Sequence, residues 1–222
     1  CLLLLCLPAL LTAQEAPAPV WHFKSEIWPE LIRGVPAILS SQDRKTGRFG
    51  EGIWIVNDQN VIFPLAVAWA VPHASNPYYH RRDVLDAVMA GGDALIDDQD
   101  ANGQWMFRKK DGSTWNMISM PWTYSRWVRA FALIRDAMPA DRRARWEKAL
   151  TLGYDRISKK ELGHVHNIPA HHAMGLYQAG KVLNRPDWCN QAAQFLQKVA
   201  ATQNPGGYWP EHLGPAVMYN FV

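Results

Sequence analysis

The chain has 222 residues, 48% of them hydrophobic, and a formal net charge of +3. That length can bury a sizeable core, and the mild, scattered charge argues against nucleic acid as a partner, because such proteins concentrate basic residues on one face. Two of the three cysteines, Cys1 and Cys6, lie in the leading apolar run; Cys189 therefore stands alone in the remainder, where it reads as a small core residue with no disulfide partner.

Cys1 to Leu11 is almost wholly apolar, and Leu11-Thr12-Ala13 ends on a small residue, the pattern of a secretory signal peptide over residues 1–13. The run is shorter than the ~20 residues a spanning helix needs, and Leu5 stands where a lipid-anchored Cys6 would want a small residue. The expectation is a secreted or periplasmic protein with no stable membrane anchor once the signal is cleaved. With no initiator Met and no basic lead-in, the sequence reads as N-terminally truncated. Residues 14–24 are Pro/Ala-rich and read as a flexible leader to a single domain over 25–222.

Apolar periodicity predicts helices at about 25–41, 58–71, 81–98, 120–138, 141–157, 169–184 and 187–202. Asp83 opens one, Pro139 closes another with Asp141 placed to cap the next, and Arg185-Pro186-Asp187 separates the last two. Strand signals are sparse, Gly52-Ile53-Trp54-Ile55-Val56 being the best candidate.

A marker recurs along the chain: Gln42-Asp43 to Gly47-Arg48-Phe49, Gln99-Asp100 to Gly103-Gln104-Trp105, and Gln203-Asn204 to Gly207-Tyr208-Trp209. An aliphatic residue (Ile38, Leu95, Val199) precedes each Gln by four positions, as on the buried face of a helix's last turns. Asp or Asn then favours leaving the helix, Gly supplies the positive φ of a tight turn, and the aromatic is placed to fold back over the hairpin end. The first gap between glutamines is one period of roughly 50 residues and the second about two, so one unit lacks its marker near residues 150–160. The fold expected is all-α: an incomplete α/α toroid of roughly four antiparallel helical hairpins. The sequence stops at Phe221-Val222 without a closing signal and reads as a fragment.

Eight histidines occur, and four fall within His164-Val165-His166-Asn167-Ile168-Pro169-Ala170-His171-His172. Pro169 places His171 and His172 in a first helical turn, where the positive end of the helix disfavours a protonated imidazole, and a neutral imidazole is what a general base requires. Asn167 is positioned to aim its amide at the same space. A metal held by three of the histidines is an alternative, although no carboxylate or Cys accompanies them, and so is a purely structural cluster. A second polar and aromatic group, with Trp209, Glu211, His212 and Tyr219, follows the third marker. Trp122, Tyr124 and Arg126 open a helix after Pro121 and are candidates to line the same face. Eleven tryptophans, many beside turns or prolines, add a lean towards stacking on sugar rings.

The histidine cluster with its Asn, the aromatic-rich turns and the export signal together resemble the α/α-toroid polysaccharide lyases, the heparinase-like and alginate-lyase-like group. The resemblance implies β-elimination on a uronate-containing polysaccharide, with Asn167 neutralising the carboxylate, His171 or His172 removing the C5 proton and Tyr219 serving as base or acid. The adjacent His-His pair departs from the group's pattern. The implied partner is an acidic polysaccharide or oligosaccharide, and this chemistry demands no metal or organic cofactor. Three alternatives remain. A six-hairpin glycoside hydrolase would need two carboxylates, for which Asp100 and Glu211 are the pair to test. A non-catalytic glycan-binding module would need the aromatics alone. A terpene-cyclase-like α/α barrel is suggested by the likeness of the markers to Gln…Gly-x-Trp repeats and by Asp97-Asp98-Gln99-Asp100, although the spacing of those aspartates is wrong.

Overall fold

The computed structural model describes residues 24–50, 58–109, 111–207, 209–211 and 214–215. The sequence readings for the signal region 1–13, most of the leader, the strand candidate 52–56, His212 and Tyr219 lie outside the described residues. Seven α-helices run along the described chain: α1 Lys24–Ser40, α2 Ile62–Ala70 after a 3-10 turn at Gln59–Val61, α3 Arg82–Asp98, α4 Pro121–Ile134, α5 Ala140–Lys160, α6 Asn167–Val182 and α7 Pro186–Ala201. Two short antiparallel ribbons, β1 Trp105–Arg108 with β2 Thr114–Ile118 and β3 Pro210–Glu211 with β4 Gly214–Pro215, complete the described residues. The fold is all-α, as the periodicity predicts. No helix is long and apolar enough to cross a membrane among those residues.

Alternate helices pack side by side. In one layer α2 lies against α4 and α4 against α6; in the other, α3 lies against α5. The cross-links show that neighbours within a layer run parallel. Along α4 and α6, Trp122 meets His171, the Arg129 Nε donates to Gln178 Oε1 at 2.7 Å, and just past α4 the Arg135 Nη1 donates to Val182 O at 2.9 Å. Along α3 and α5, Arg142 binds Asp93 at 2.6 Å, and Arg145 binds Asp97 one turn further on. Each pair joins equivalent places in successive hairpins. Three pairs of helices and the first helix of a fourth are thus present among the described residues.

The core between the layers is aromatic. Trp105, Tyr124, Trp127, Trp146, Tyr154 and Trp188 are all buried, and their rings touch in a chain, Trp105 to Tyr124 at 4.7 Å, Tyr124 to Tyr154 at 5.3 Å and Tyr154 to Trp188 at 5.9 Å. Such rings add specific geometry to the area they bury. Among the described residues Trp69, Trp105, Trp127, Trp146 and Trp188 are core residues and leave the sugar-stacking candidates. Of the other described tryptophans, Trp115 is 70% exposed on β2, and Trp28, Trp122 and Trp209 are half-buried.

The first marker turn joins α1 to α2, the second joins α3 to α4, and the third follows α7. Gly47, Gly103 and Gly207 all take positive φ (74°, 73° and 79°). Gln42 Nε2 donates to Gly47 O in its own turn and to Ala87 O on α3; Gln99 Nε2 donates to Ala149 O on α5. The aromatics fold back: Trp105 Nε1 donates to Leu95 O at 2.8 Å and Trp209 Nε1 to Val199 O at 2.6 Å, in both cases the carbonyl of the aliphatic residue four before the Gln. The handover from α5 to α6, Glu161 to His166, is the connection without a marker. It carries the first half of the histidine cluster.

Candidate functional site

The cluster lies at the end of the molecule where the marker turns lie. His166 precedes α6 in extended conformation, and Asn167 opens the helix. The Asn167 Oδ1 accepts from Ile168 N at 2.6 Å and lies 3.4 Å from His166 Nδ1. Because α6 starts at Asn167, His171 and His172 fall in its second turn rather than its first, so the helix terminus is not the main influence on them.

Burial is. His172 is 2% exposed, its Nδ1 has no hydrogen-bond partner, and loss of hydration, helped by the neighbouring His171 and His166, drives its pKa from 6.5 to about 3. An imidazole so hard to protonate and so enclosed is a poor proton acceptor, which corrects the expectation that it competes with His171 as the base. His171 is half-buried, packed edge-on against Trp122 with ring centroids 6.0 Å apart and planes at 80°. Partial burial, and then the charge of Arg126, lower its pKa. It is neutral at pH 7 and still reachable.

Three stripes make up the face around His171. From α4 come Trp122, Arg126 and Arg129 at positions i, i+4 and i+7; from α6 come His171, Met174 and Gln178 at i, i+3 and i+7; from α2 comes Phe63. All are half-buried. Arg126 donates to Trp122 O at 3.1 Å. Arg129 binds Gln178, lies 3.7 Å from Met174 Sδ and stacks 5.5 Å over the Phe63 ring. Arg129, Met174, Gln178 and Phe63 were missed in the sequence; the register of Trp122 and Arg126 points to Arg129 one turn on, but only once α4 is known to present that stripe.

Tyr124 does not belong to this face. It is 1% exposed, its OH donates to Gly103 O at 2.5 Å and accepts from Gln99 Nε2 at 2.7 Å, and burial raises its pKa. Its place in the core, fastening the second marker turn, corrects the expectation that it contacts substrate. The ring of Trp209 is likewise engaged as a clasp on α7. Glu211 lies in β3 by its backbone, while His212 and Tyr219 are outside the described residues.

Asp100, one half of the carboxylate pair a hydrolase would use, is spent on its own turn: Oδ1 accepts from Asn102 N at 2.9 Å and Gln104 N at 2.7 Å. No three His, Cys, Asp or Glu side chains converge as metal ligands among the described residues. A groove of about 340 Å³ lies elsewhere, between the first marker turn and α3, lined by Leu39, Gln42, Arg44, Gly47, Asp83 and Asp86. It holds no imidazole and follows from the docking of that turn, so chemistry favours the His171 face over this groove. Comparison of the chain with protein-family models, curated proteins and solved structures finds no match in any of the three.

Proposed function

We propose that these helices form an arc of an α/α toroid in an exported enzyme that cleaves a uronate-containing polysaccharide by β-elimination. The observation that carries this is the setting of His171: a half-buried imidazole, held neutral by burial and by Arg126, with Trp122 beside it to pack on a sugar ring and Asn167 one helical turn before it. Neutralising the uronate carboxylate, the role given to Asn167 with Arg126, makes the C5 hydrogen acidic enough to leave. His171 takes that proton, the C5 electron pair delocalises into the carboxyl group, and its return forms the C4=C5 double bond as the C4–O bond breaks. The departing oxygen gains a proton from Tyr219 in this scheme or from water, and His171 releases its own proton to solvent.

The direct test incubates the full chain with polygalacturonate, alginate and a sulfated glycosaminoglycan and records both ultraviolet absorbance of the unsaturated product and new reducing ends. His171→Ala is expected to lower kcat by about 10²–10⁴ and Asn167→Ala by about 10²–10³. Reducing ends without absorbance mean hydrolysis instead. Binding without turnover that survives removal of all four clustered histidines means a glycan-binding module.

A further inference from the structure

Arginines that bind between neighbouring hairpins mostly meet a carboxylate: Arg48 has Asp98 at 2.6 Å, Arg142 has Asp93 at 2.6 Å, and Arg185 has Asp155 at 3.4 Å. Arg126 and Arg129 do not. They are half-buried and one turn apart on α4, and none of the ion pairs among the described residues includes either. Their partners are neutral: a carbonyl for Arg126; an amide oxygen, a thioether and an aromatic ring for Arg129. Each contact fixes a guanidinium without cancelling its charge. Two like charges drawn partly out of water raise each other's free energy, and burial with Arg129's proximity does lower the Arg126 pKa. A guanidinium has five N–H donors in a planar fork suited to carboxylates and sulfates. Arg129 commits its Nε and one Nη, leaving donors for a ligand.

We propose that Arg126 and Arg129, braced by Gln178, Met174 and Phe63, form an anion-binding pair that holds two acid groups of one glycan chain, so that the ligand must carry charge on more than one sugar. Arg126 serves the acid group nearest His171, and Arg129 the next one along α4 and α6. The proposal rests on the reading of this face as a sugar site and extends it from a single uronate to a repeating polyanion. Gln178 is a positioning residue that sets the plane of the Arg129 fork.

The test measures binding rather than turnover, by calorimetry on the full chain carrying His171→Ala. The probes are a galacturonate hexamer, the same hexamer methyl-esterified, and a sulfated chondroitin hexasaccharide. The acid hexamer is expected to bind at least about tenfold more tightly than its ester, the equivalent of roughly 1.4 kcal/mol. Arg129→Gln should remove most of that advantage and flatten the salt dependence of binding. Arg129→Lys should keep the salt dependence while losing affinity, since the charge stays and the fork does not. Preference for the chondroitin probe would assign the second group as a sulfate, and preference for galacturonate as a carboxylate. Equal binding of acid and ester, no binding of either acid probe, or an unchanged salt dependence in Arg129→Gln with native helicity would each overturn the pair. Absence of unsaturated product from the unsubstituted chain sinks the elimination reading and leaves this binding result to stand or fall separately.

Discussion

Consecutive residues on a helix point about 100° apart, and that rotation gives two neighbouring imidazoles different fates. His172 turns into the core, where it is 2% exposed with an unpartnered Nδ1, while His171 stays at the rim. The clustering of histidines was legible in the sequence; the choice between these two was not, because it depends on which side of α6 meets α4. The sign of the pH effect at His172 follows from its pKa of about 3 against 6.5 unfolded. Between those values the unfolded chain takes up a proton that the native chain excludes, so this contribution to stability is whole above pH 6.5 and is lost as pH falls towards 3. Urea unfolding at pH 7.5 and pH 5 should show His172→Leu losing about 2 kcal/mol less than the unsubstituted chain across that interval. Equal losses would mean that the imidazole is hydrated. At His171 the depressed pKa places the acid limb of kcat/KM below pH 6.5. Arg126→Gln removes one of the two causes and should move that limb towards higher pH, on top of any loss in KM; a limb that stays put would assign the depression to burial alone.

Helices were the most legible elements, because apolar periodicity and Pro or Asp boundaries act locally; all seven fall within a few residues of their predicted spans. The ribbon of β1 and β2 was not found. Asp111-Gly112 is a turn signal between two β-prone runs, but it follows a marker turn that already accounts for a Gly and an aromatic. The marker was read correctly as a clasp, and its glycine is where the element can be tested. A Cβ on Gly103 would lie 2.6 Å from Gly153 Cα, and one on Gly47 2.6 Å from Ala90 O, whereas one on Gly207 meets nothing within 4 Å. All three residues have positive φ, so alanine costs roughly 1–2 kcal/mol in backbone strain at each. Only Gly47→Ala and Gly103→Ala must also push a turn off a helix of the next hairpin, α3 and α5 respectively. Thermal unfolding should rank both below Gly207→Ala, and equal effects would show that the turns are not pressed against α3 and α5.

Side-by-side packing of successive hairpins gives the described residues two layers of helices, each with its own fasteners. The roughly 50-residue period was visible in the sequence, but the identity of the fasteners was not. Asp93 is an unremarkable residue of α3 until α5 brings Arg142, Arg145 and Trp146 to it. Its carboxylate, 15% exposed, then accepts from Arg142 and from Trp146 Nε1 at 2.9 Å, with Arg145 at 3.5 Å. Asp93→Ala would leave a half-buried guanidinium and an indole N–H without their acceptor. For a fully buried pair that costs 3–5 kcal/mol, and partial exposure of Arg142 reduces it to about 2 kcal/mol. Asp93→Asn keeps an acceptor for Trp146 and should cost less. Arg142→Ala combined with Asp93→Ala should fall short of the sum of the two single losses, because both remove the same interaction. The contacts of Trp122 with His171 and of Arg129 with Gln178 lie in the other layer, so turnover measured well below the unfolding transition should be unchanged in Asp93→Ala. A fall in kcat there without a fall in stability would show that the second layer sets the spacing of α4 and α6, and the site would then belong to the stack as a whole rather than to one of its layers.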